Sequence, residues 1–273
     1  MTTSTAAAAS TLSRRVLPVL GRGSRRVVER NFLVYRRSWI VFLTGFLEPV
    51  FYLFSIGIGV GGLIGDFTLG DGTVIGYAAF VAPGMLASSA MNGALFDATY
   101  GIFFRFKYAK LYDAMLATPL RPGDIAAGEI SWALLRGTCY STAFVAIMAA
   151  LGLIGSWWGI LTVPAAMLIG FAFGGAGMAL TTYMKSWQDF EYIQLAIIPM
   201  FLFSATFYPL STYPTALQWV VSATPLYQGV VLCRDLTTGR LGPELLIAVG
   251  YLAVMGAVGL RVAGHRLGVL LLR

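Results

Sequence analysis

The sequence has few of the residues on which most enzyme and metal sites depend. It contains one histidine, His265, near the C-terminus, and two cysteines, Cys139 and Cys233, far apart in apolar surroundings. These numbers exclude a histidine-rich metal centre, a disulfide framework and a cysteine-based metal site. The motifs G-x-x-x-x-G-K-[ST], H-E-x-x-H, G-x-S-x-G and C-x-x-C are also absent. We therefore predict no catalytic residue, no metal ligand, no directly bound cofactor and no ATPase site.

Charged residues are scarce as well. They make up 11% of the 273 residues, whereas hydrophobic residues make up 58%. A soluble domain carries about 25% charged residues. The composition therefore indicates a polytopic membrane protein.

Long apolar runs predict an all-α membrane protein with six transmembrane helices. A helix needs about 20 apolar residues to cross the hydrocarbon core. The predicted spans cover residues of about 40–64, 74–96, 125–154, 160–184, 192–207 and 245–260. They form a single transmembrane domain over residues 24–273, preceded by a disordered basic tail over residues 1–23.

Two further segments are predicted to lie at the membrane surfaces. Residues Ser24 to Trp39 have the pattern of a basic amphipathic helix, which lies on the inner membrane surface. Residues 208–233 carry no charge but contain three prolines, so they are too broken for a simple span. A re-entrant helix pair in the outer leaflet fits this segment. Arg234 and Arg240 are then expected to return the chain to water.

The segment from Arg105 to Thr118 is polar and lies between two long apolar runs. Its apolar residues recur at helical spacing, which predicts one amphipathic helix that ends before Pro119. This helix could lie in the lipid headgroups, or it could dock on a soluble partner and transmit force. The residues predicted to couple to such a partner are Arg105, Tyr108, Leu111, Tyr112 and Met115.

The basic residues are distributed unevenly along the chain. Of 19 Lys and Arg, eight precede the first predicted span, four surround the amphipathic segment, three follow the last span and one is Lys185. The positive-inside rule therefore places both termini and the amphipathic segment in the cytoplasm. This distribution also explains the net charge of +7 without nucleic acid.

A few charges fall at or within the predicted spans, where they are costly and usually functional. They are Glu48, Asp97, Glu129 and Arg136. Glu48 is either a carboxylate that lines a cavity or gate, or a structural one satisfied by a neighbouring helix. Glu129 and Arg136 share one helix face but are about 10 Å apart, so they do not pair directly. Arg136 is expected to pair with Asp97 or Glu48, although contact with a substrate headgroup is an alternative.

Aromatic residues cluster around the start of the predicted re-entrant segment. They could line a path for a lipid or drug, or they could form an interfacial aromatic belt. The members assigned to the possible path are Phe201, Phe203, Phe207 and Tyr208.

Several segments of the chain resemble the permease subunits of type-2 ABC exporters, especially the nodulation-factor and daunorubicin-resistance groups. The resemblance covers nearly the whole chain and is most specific from Tyr112 to Arg136. The residues that carry it are Arg30–Arg36, Ala82–Met91, Asp113–Leu120, Gly128–Arg136 and Pro225-Leu-Tyr227. The basic extension from Met1 to Gly23 is longer than the resemblance leads us to expect.

The resemblance implies an export permease in the bacterial cell membrane. It implies a cytoplasmic coupling helix, external re-entrant helices and two permease copies, either identical or related. Two separate nucleotide-binding subunits would bind ATP and magnesium, and the substrate would be a glycolipid, a lipid-linked saccharide or a hydrophobic drug. A lipid-modifying membrane enzyme is an alternative, but the sequence lacks the clustered carboxylates or histidines it would need. A membrane assembly protein, the other alternative, does not explain an amphipathic helix beside intramembrane charges.

Overall fold

The computed structural model describes residues 21–37, 47, 50–68, 72 and 74–271. Glu48, the rest of the first predicted span before Val50 apart from residue 47, and residues 1–20 of the predicted tail lie outside this part of the chain. The described helices are α1 (Arg22–Arg37), α2 (Val50–Ile64), α3 (Tyr77–Tyr108), α4 (Leu111–Leu116), α5 (Pro122–Ala150), α6 (Trp157–Thr181), α7 (Phe190–Leu202), α8 (Thr215–Ser222), α9 (Pro225–Thr238) and α10 (Pro243–Leu271). Short single-turn helices cover Trp187–Asp189 and Leu210–Thr212.

Four of the described helices are long and apolar enough to cross a membrane. These helices are α3, α5, α6 and α10. The bent pair α8 and α9 could add a fifth crossing, and its two helices meet at 85°. A bent helix pair is therefore present in the segment where the sequence predicts a re-entrant pair, and three proline residues explain its breaks. The mainly helical membrane fold is confirmed, and the helix α1 lies where the sequence predicts an amphipathic helix.

The fifth predicted span does not reach its expected end. Helix α7 stops at Leu202 after 13 residues, a length of about 20 Å, which is shorter than the hydrocarbon core of about 30 Å. The chain from Phe203 to Pro209 is not helical. Within it Ser204, Ala205 and Thr206 are completely or almost completely buried. The protein interior, rather than lipid, therefore surrounds this irregular backbone.

A small β-hairpin occupies the predicted loop before the second span. Strand β1 (Asp66–Thr68) pairs antiparallel with strand β2 (Val74–Gly76), with Phe67 opposite Ile75. The chain is therefore not purely helical, and α3 begins at Tyr77 instead of residue 74.

Two helices are longer than the sequence predicts. Helix α3 continues beyond Phe96 through two wide π-helical stretches, Asp97–Gly101 and Phe104–Tyr108. Helix α10 continues to Leu271, so Arg261 and Arg266 lie in a helix and not in a tail. The sequence predicted both helices to end too early, because the charged side chains that follow the apolar runs have partners within the protein. The Arg266 guanidinium, for example, lies 4.2 Å from the centre of the Tyr183 ring.

Helices α6 and α10 pack closely where glycine residues of the two helices face each other. A Cβ atom on Gly259 would lie 2.4 Å from the backbone carbon of Gly175, and one on Gly175 would lie 2.6 Å from the oxygen of Gly256. Such contact is typical of membrane helices, whose association depends on close packing. Gly170 and Gly174, also on α6, instead face Leu134 and Ala94 at ordinary distances.

Candidate functional site

An ion pair joins α3 to α5 inside the helix bundle. The Arg136 guanidinium bonds the Asp97 carboxylate, and both side chains are nearly buried. Arg136 also donates to the Tyr35 hydroxyl at 3.1 Å and lies over the rings of Tyr35 and Tyr140. Asp97 is one of the two partners expected for Arg136, and the other, Glu48, lies outside the described residues. The Tyr35 bond adds a contact to α1.

A second ion pair lies about two helical turns away along α5. The Arg105 guanidinium bonds the Glu129 carboxylate, which is 97% buried. Asn31 of α1 donates to the same carboxylate at 3.1 Å. Arg105 therefore points into the bundle and away from the exposed surface. We call the six residues Asn31, Tyr35, Asp97, Arg105, Glu129 and Arg136 the charged network.

Local sequence explains why three helices meet at this network. Gly128 lets α1 approach α5, because a Cβ atom there would lie 2.5 Å from that of Val27. Asp97 and Arg105 are eight residues apart, which in an α-helix leaves them about 80° out of line. The wide π-helical turns of α3 reduce this angle, so that both side chains reach α5.

The predicted amphipathic helix from Arg105 to Thr118 is not one helix. Lys110 has a φ of 44°, a left-handed conformation, and separates the end of α3 from the short helix α4. Tyr112 and Met115 are buried against Ile125, Met178 and other residues of the same chain. The prediction that these two residues present a docking face is therefore wrong, because their apolar partners lie within the chain. Burial also raises the pKa of the Tyr112 hydroxyl far above its ordinary value.

The exposed side of the same segment carries a different set of residues. We call it the cytoplasmic face, after the side on which the positive-inside rule predicts this segment, and it consists of Tyr108, Lys110, Asp113, Ala114 and Ala117. Leu111 is half-buried and lies at its margin. Of the predicted coupling residues, only Tyr108 is fully on this face, with 61% of its surface exposed.

An aromatic cluster that the sequence did not reveal fixes the end of α3 to the start of α7. The Tyr100 and Phe190 rings stack with their centres 4.1 Å apart, and Phe103 meets Phe190 edge-on at 5.1 Å. Trp187 contacts the same rings. Lys107 adds a hydrogen bond of 2.7 Å to the carbonyl of Lys185. The residues of α3 lie 78 to 90 positions before their partners, so no local pattern could have indicated this contact.

The aromatic residues assigned to a possible substrate path fall into two groups. Phe201 and Phe207 meet edge-on at 5.4 Å. Both pack against the cluster of buried apolar residues that includes Phe80, Leu86 and Ile169. Phe203 and Tyr208 are exposed and both contact Tyr213. They therefore do not form one continuous lining in this structure.

Arg234 is a buried cation that sequence reasoning placed in water. Its guanidinium lies 3.9 Å from the centre of the Phe80 ring and donates to the carbonyl of Ala205 at 2.8 Å. Longer bonds reach the carbonyls of Phe80 and Thr206. Arg234 thus satisfies backbone groups that the irregular segment after α7 leaves free. The sequence could not indicate this role, because only the structure shows that α7 ends at Leu202 and which backbone carbonyls are left without a partner.

Within the described part of the chain, no cluster of His, Cys, Asp or Glu could hold a metal ion.

Comparison with known proteins agrees with this architecture. The profile of the ABC-2 type transporter family matches residues 24–236. Nodulation protein J of Rhizobium leguminosarum bv. viciae is 33% identical over 241 residues, which cover 87% of this chain and 91% of the relative. Nodulation protein J of Rhizobium meliloti (strain 1021) is 32% identical over 245 residues, 89% of this chain and 91% of the relative. The chain therefore belongs to the ABC-2 type transporter family, as a multi-pass membrane permease component.

Proposed function

We propose that the chain is the permease subunit of an ATP-driven exporter. It moves an amphipathic substrate, such as a glycolipid, a lipid-linked saccharide or a hydrophobic drug, out of the cytoplasm or the inner leaflet. A separate nucleotide-binding subunit binds and hydrolyses MgATP. The permease works with a second copy of itself or with a related permease, in a bacterial inner membrane.

The arrangement of the cytoplasmic face carries the proposal. The cytoplasmic face exposes Lys110, Asp113 and Ala114, which a soluble partner can reach. On the buried side of the same segment, Tyr112 and Met115 pack against residues of α5. Arg105, just before it, is bonded to Glu129 of the charged network. A push on this face would therefore be transmitted to α3 and α5 through packed side chains and ion pairs.

Binding of the ATPase subunit is tested by a bulky charge on the cytoplasmic face. Ala114→Arg should prevent co-purification of the ATPase subunit, because contacts of this kind depend on a few central residues. Ala216→Arg, at an exposed alanine of α8 near the opposite end of the bundle, is the matched control and should leave the complex intact. An intact complex with full ATP hydrolysis in the Ala114→Arg variant would contradict the coupling role.

The proposed orientation places six crossings in the membrane with both termini in the cytoplasm. Single cysteines at positions 110 and 240, in a chain with Cys139 and Cys233 replaced by serine, test it with an impermeant thiol reagent. Position 240 should react in intact cells and position 110 only after the cells are opened. Labelling of position 110 in intact cells would overturn this topology.

A further inference from the structure

Helix α10 carries one continuous exposed stripe along its length. Its apolar part includes Ile247, Val254 and Val258, whose side chains are largely exposed and lie on one side of the helix. The opposite side carries Ala263 and Leu267, which are buried. Because α10 is long and apolar enough to cross a membrane, the exposed stripe is the side that meets lipid.

The stripe changes from apolar to basic at the end of the crossing. Arg261 and His265 follow Val258 by three and seven residues, so they continue the same side of α10, and both are exposed. No charged residue lies between Glu244 and Arg261. The 17 positions that separate them span about 26 Å, close to the thickness of a hydrocarbon core of about 30 Å. Arg261 and His265 therefore lie at the level of the lipid headgroups.

Arg266, next to His265, is held by an aromatic ring and not by a carboxylate. Its guanidinium lies over the Tyr183 ring, in the turn that follows α6. Within the described part of the chain, Arg266 forms no hydrogen bond and no ion pair. Its Nε is buried, but its two terminal nitrogens are not, so they reach the surface. An arginine that stacks on a ring and leaves its fork of donors free is suited to bind a phosphate.

The positive charge around Arg266 is not neutralised. Arg261 and His265 also lack an ion-pair partner among the residues that the structure describes. Lys185 adds an exposed cation in the turn that carries the stacked ring. Asp189, the acidic residue of that turn, already accepts hydrogen bonds from two backbone N–H groups. We call Arg261, His265 and Arg266 the basic patch, and it keeps an excess of positive charge.

We propose that the basic patch binds the phosphate of an anionic phospholipid, whose acyl chains lie along the apolar stripe of α10. Arg266 donates to two phosphate oxygens, and Arg261 and His265 donate to the remaining oxygens of the headgroup. The proposed orientation puts this site in the cytoplasmic leaflet, where anionic lipids attract basic residues. The bound lipid is a resident ligand of the permease and not its cargo, so the inference goes beyond the proposed function.

Native mass spectrometry of the purified full chain in detergent tests the site without the ATPase subunit. The probes are dioleoylphosphatidylglycerol and dioleoylphosphatidylcholine, titrated separately. Both lipids carry a phosphate, but only the first carries a net negative charge. We expect the permease to bind phosphatidylglycerol at least tenfold more tightly. Inorganic phosphate, added at constant ionic strength, should not displace the lipid, because it makes no contact with the apolar stripe.

Substitutions of Arg266 separate a defined site from diffuse attraction. Arg266→Gln should weaken phosphatidylglycerol binding at least fivefold. Arg266→Lys should weaken it at least threefold, because an ammonium group keeps the charge but loses the fork and the flat contact with Tyr183. Arg121→Gln is the matched control and should leave the affinity within twofold. Arg121 is also an exposed cation, but the neighbouring Leu120 packs in the cluster on the buried side of α10.

Three results would overturn the proposal. They are equal affinity for the two lipids, wild-type affinity in Arg266→Lys, and displacement of the lipid by inorganic phosphate, which would assign the patch to a free anion. Because the assay needs neither ATP nor transport, its failure would leave the export function standing. Conversely, a permease that binds phosphatidylglycerol at this patch but exports nothing would refute the export function alone.

Discussion

The two ends of the bundle bury arginine in different ways. Near the cytoplasmic face, Arg105 and Arg136 each bond a carboxylate of a neighbouring helix. Near the opposite end, Arg234 bonds three backbone carbonyls and an aromatic ring. An ion pair between helices can exchange partners when the helices move, whereas carbonyls of one folded segment keep their positions. The charged network is therefore suited to transmit motion, and Arg234 to hold the irregular segment after α7 in place.

The largest effect is expected from removing one member of an ion pair. Arg136→Met leaves Asp97 buried without its cation, which should cost about 3–5 kcal/mol of stability. Thermal unfolding of the purified permease measures the loss. The double variant Asp97→Asn, Arg136→Met should recover most of it, because no charge is left unpaired. A double variant as unstable as the single one would show that Arg136 acts through packing.

The comparison predicts a different pattern at Arg234. Arg234→Met should cost about 2–3 kcal/mol, since carbonyls of Ala205 and Thr206 lose their donor in a buried site. The double variant Arg234→Met, Asp235→Asn should be no more stable than Arg234→Met alone, because Asp235 bonds Arg240 and not Arg234. Recovery in the double variant would place Arg234 in an ordinary ion pair and remove the contrast between the two ends.

A smaller effect is expected where α1 joins the charged network. Asn31→Leu removes the amide that donates to Glu129, which should cost about 1–3 kcal/mol. Leu33→Met, at a residue of the same helix that is 64% exposed, is the control and should change the unfolding temperature little. Equal stability of both variants and the wild type would show that α1 is held by apolar packing alone.

The smallest effect concerns pH. Asp189 accepts hydrogen bonds from the backbone N–H groups of Lys185 and Ser186, which lower the pKa of its carboxyl below the ordinary value. A lowered pKa contributes stability above the unfolded pKa of about 4, and this contribution is lost as the pH falls through the folded value. The protection of the turn at Trp187 against hydrogen exchange, taken relative to the intrinsic exchange rate at each pH, should therefore fall under acid conditions. Asp189→Asn should remove this dependence, and a variant that retains it would assign the effect to another group.

The apolar runs predicted the positions and lengths of α5 and α6 well, because a helix that crosses a membrane needs a length and an apolar composition that are visible in the sequence. The same reasoning failed where a charge has a hidden partner. Arg234 was expected in water and Arg266 beyond the last span, because their contacts with the carbonyl of Ala205 and with Tyr183 join distant parts of the chain. The stripe of Tyr112 and Met115 was recognised as apolar, but periodicity cannot tell whether the covering surface belongs to the chain or to a partner.

Export per ATP hydrolysed, measured in proteoliposomes that contain the permease and its ATPase subunit, tests the central claim most directly. Arg105→Gln with Glu129→Gln replaces the ion pair beside the cytoplasmic face by neutral groups of similar shape. We predict that the ATPase subunit still binds and hydrolyses ATP while export per ATP falls at least tenfold. Unchanged export per ATP in an intact complex would contradict the role of the charged network in coupling.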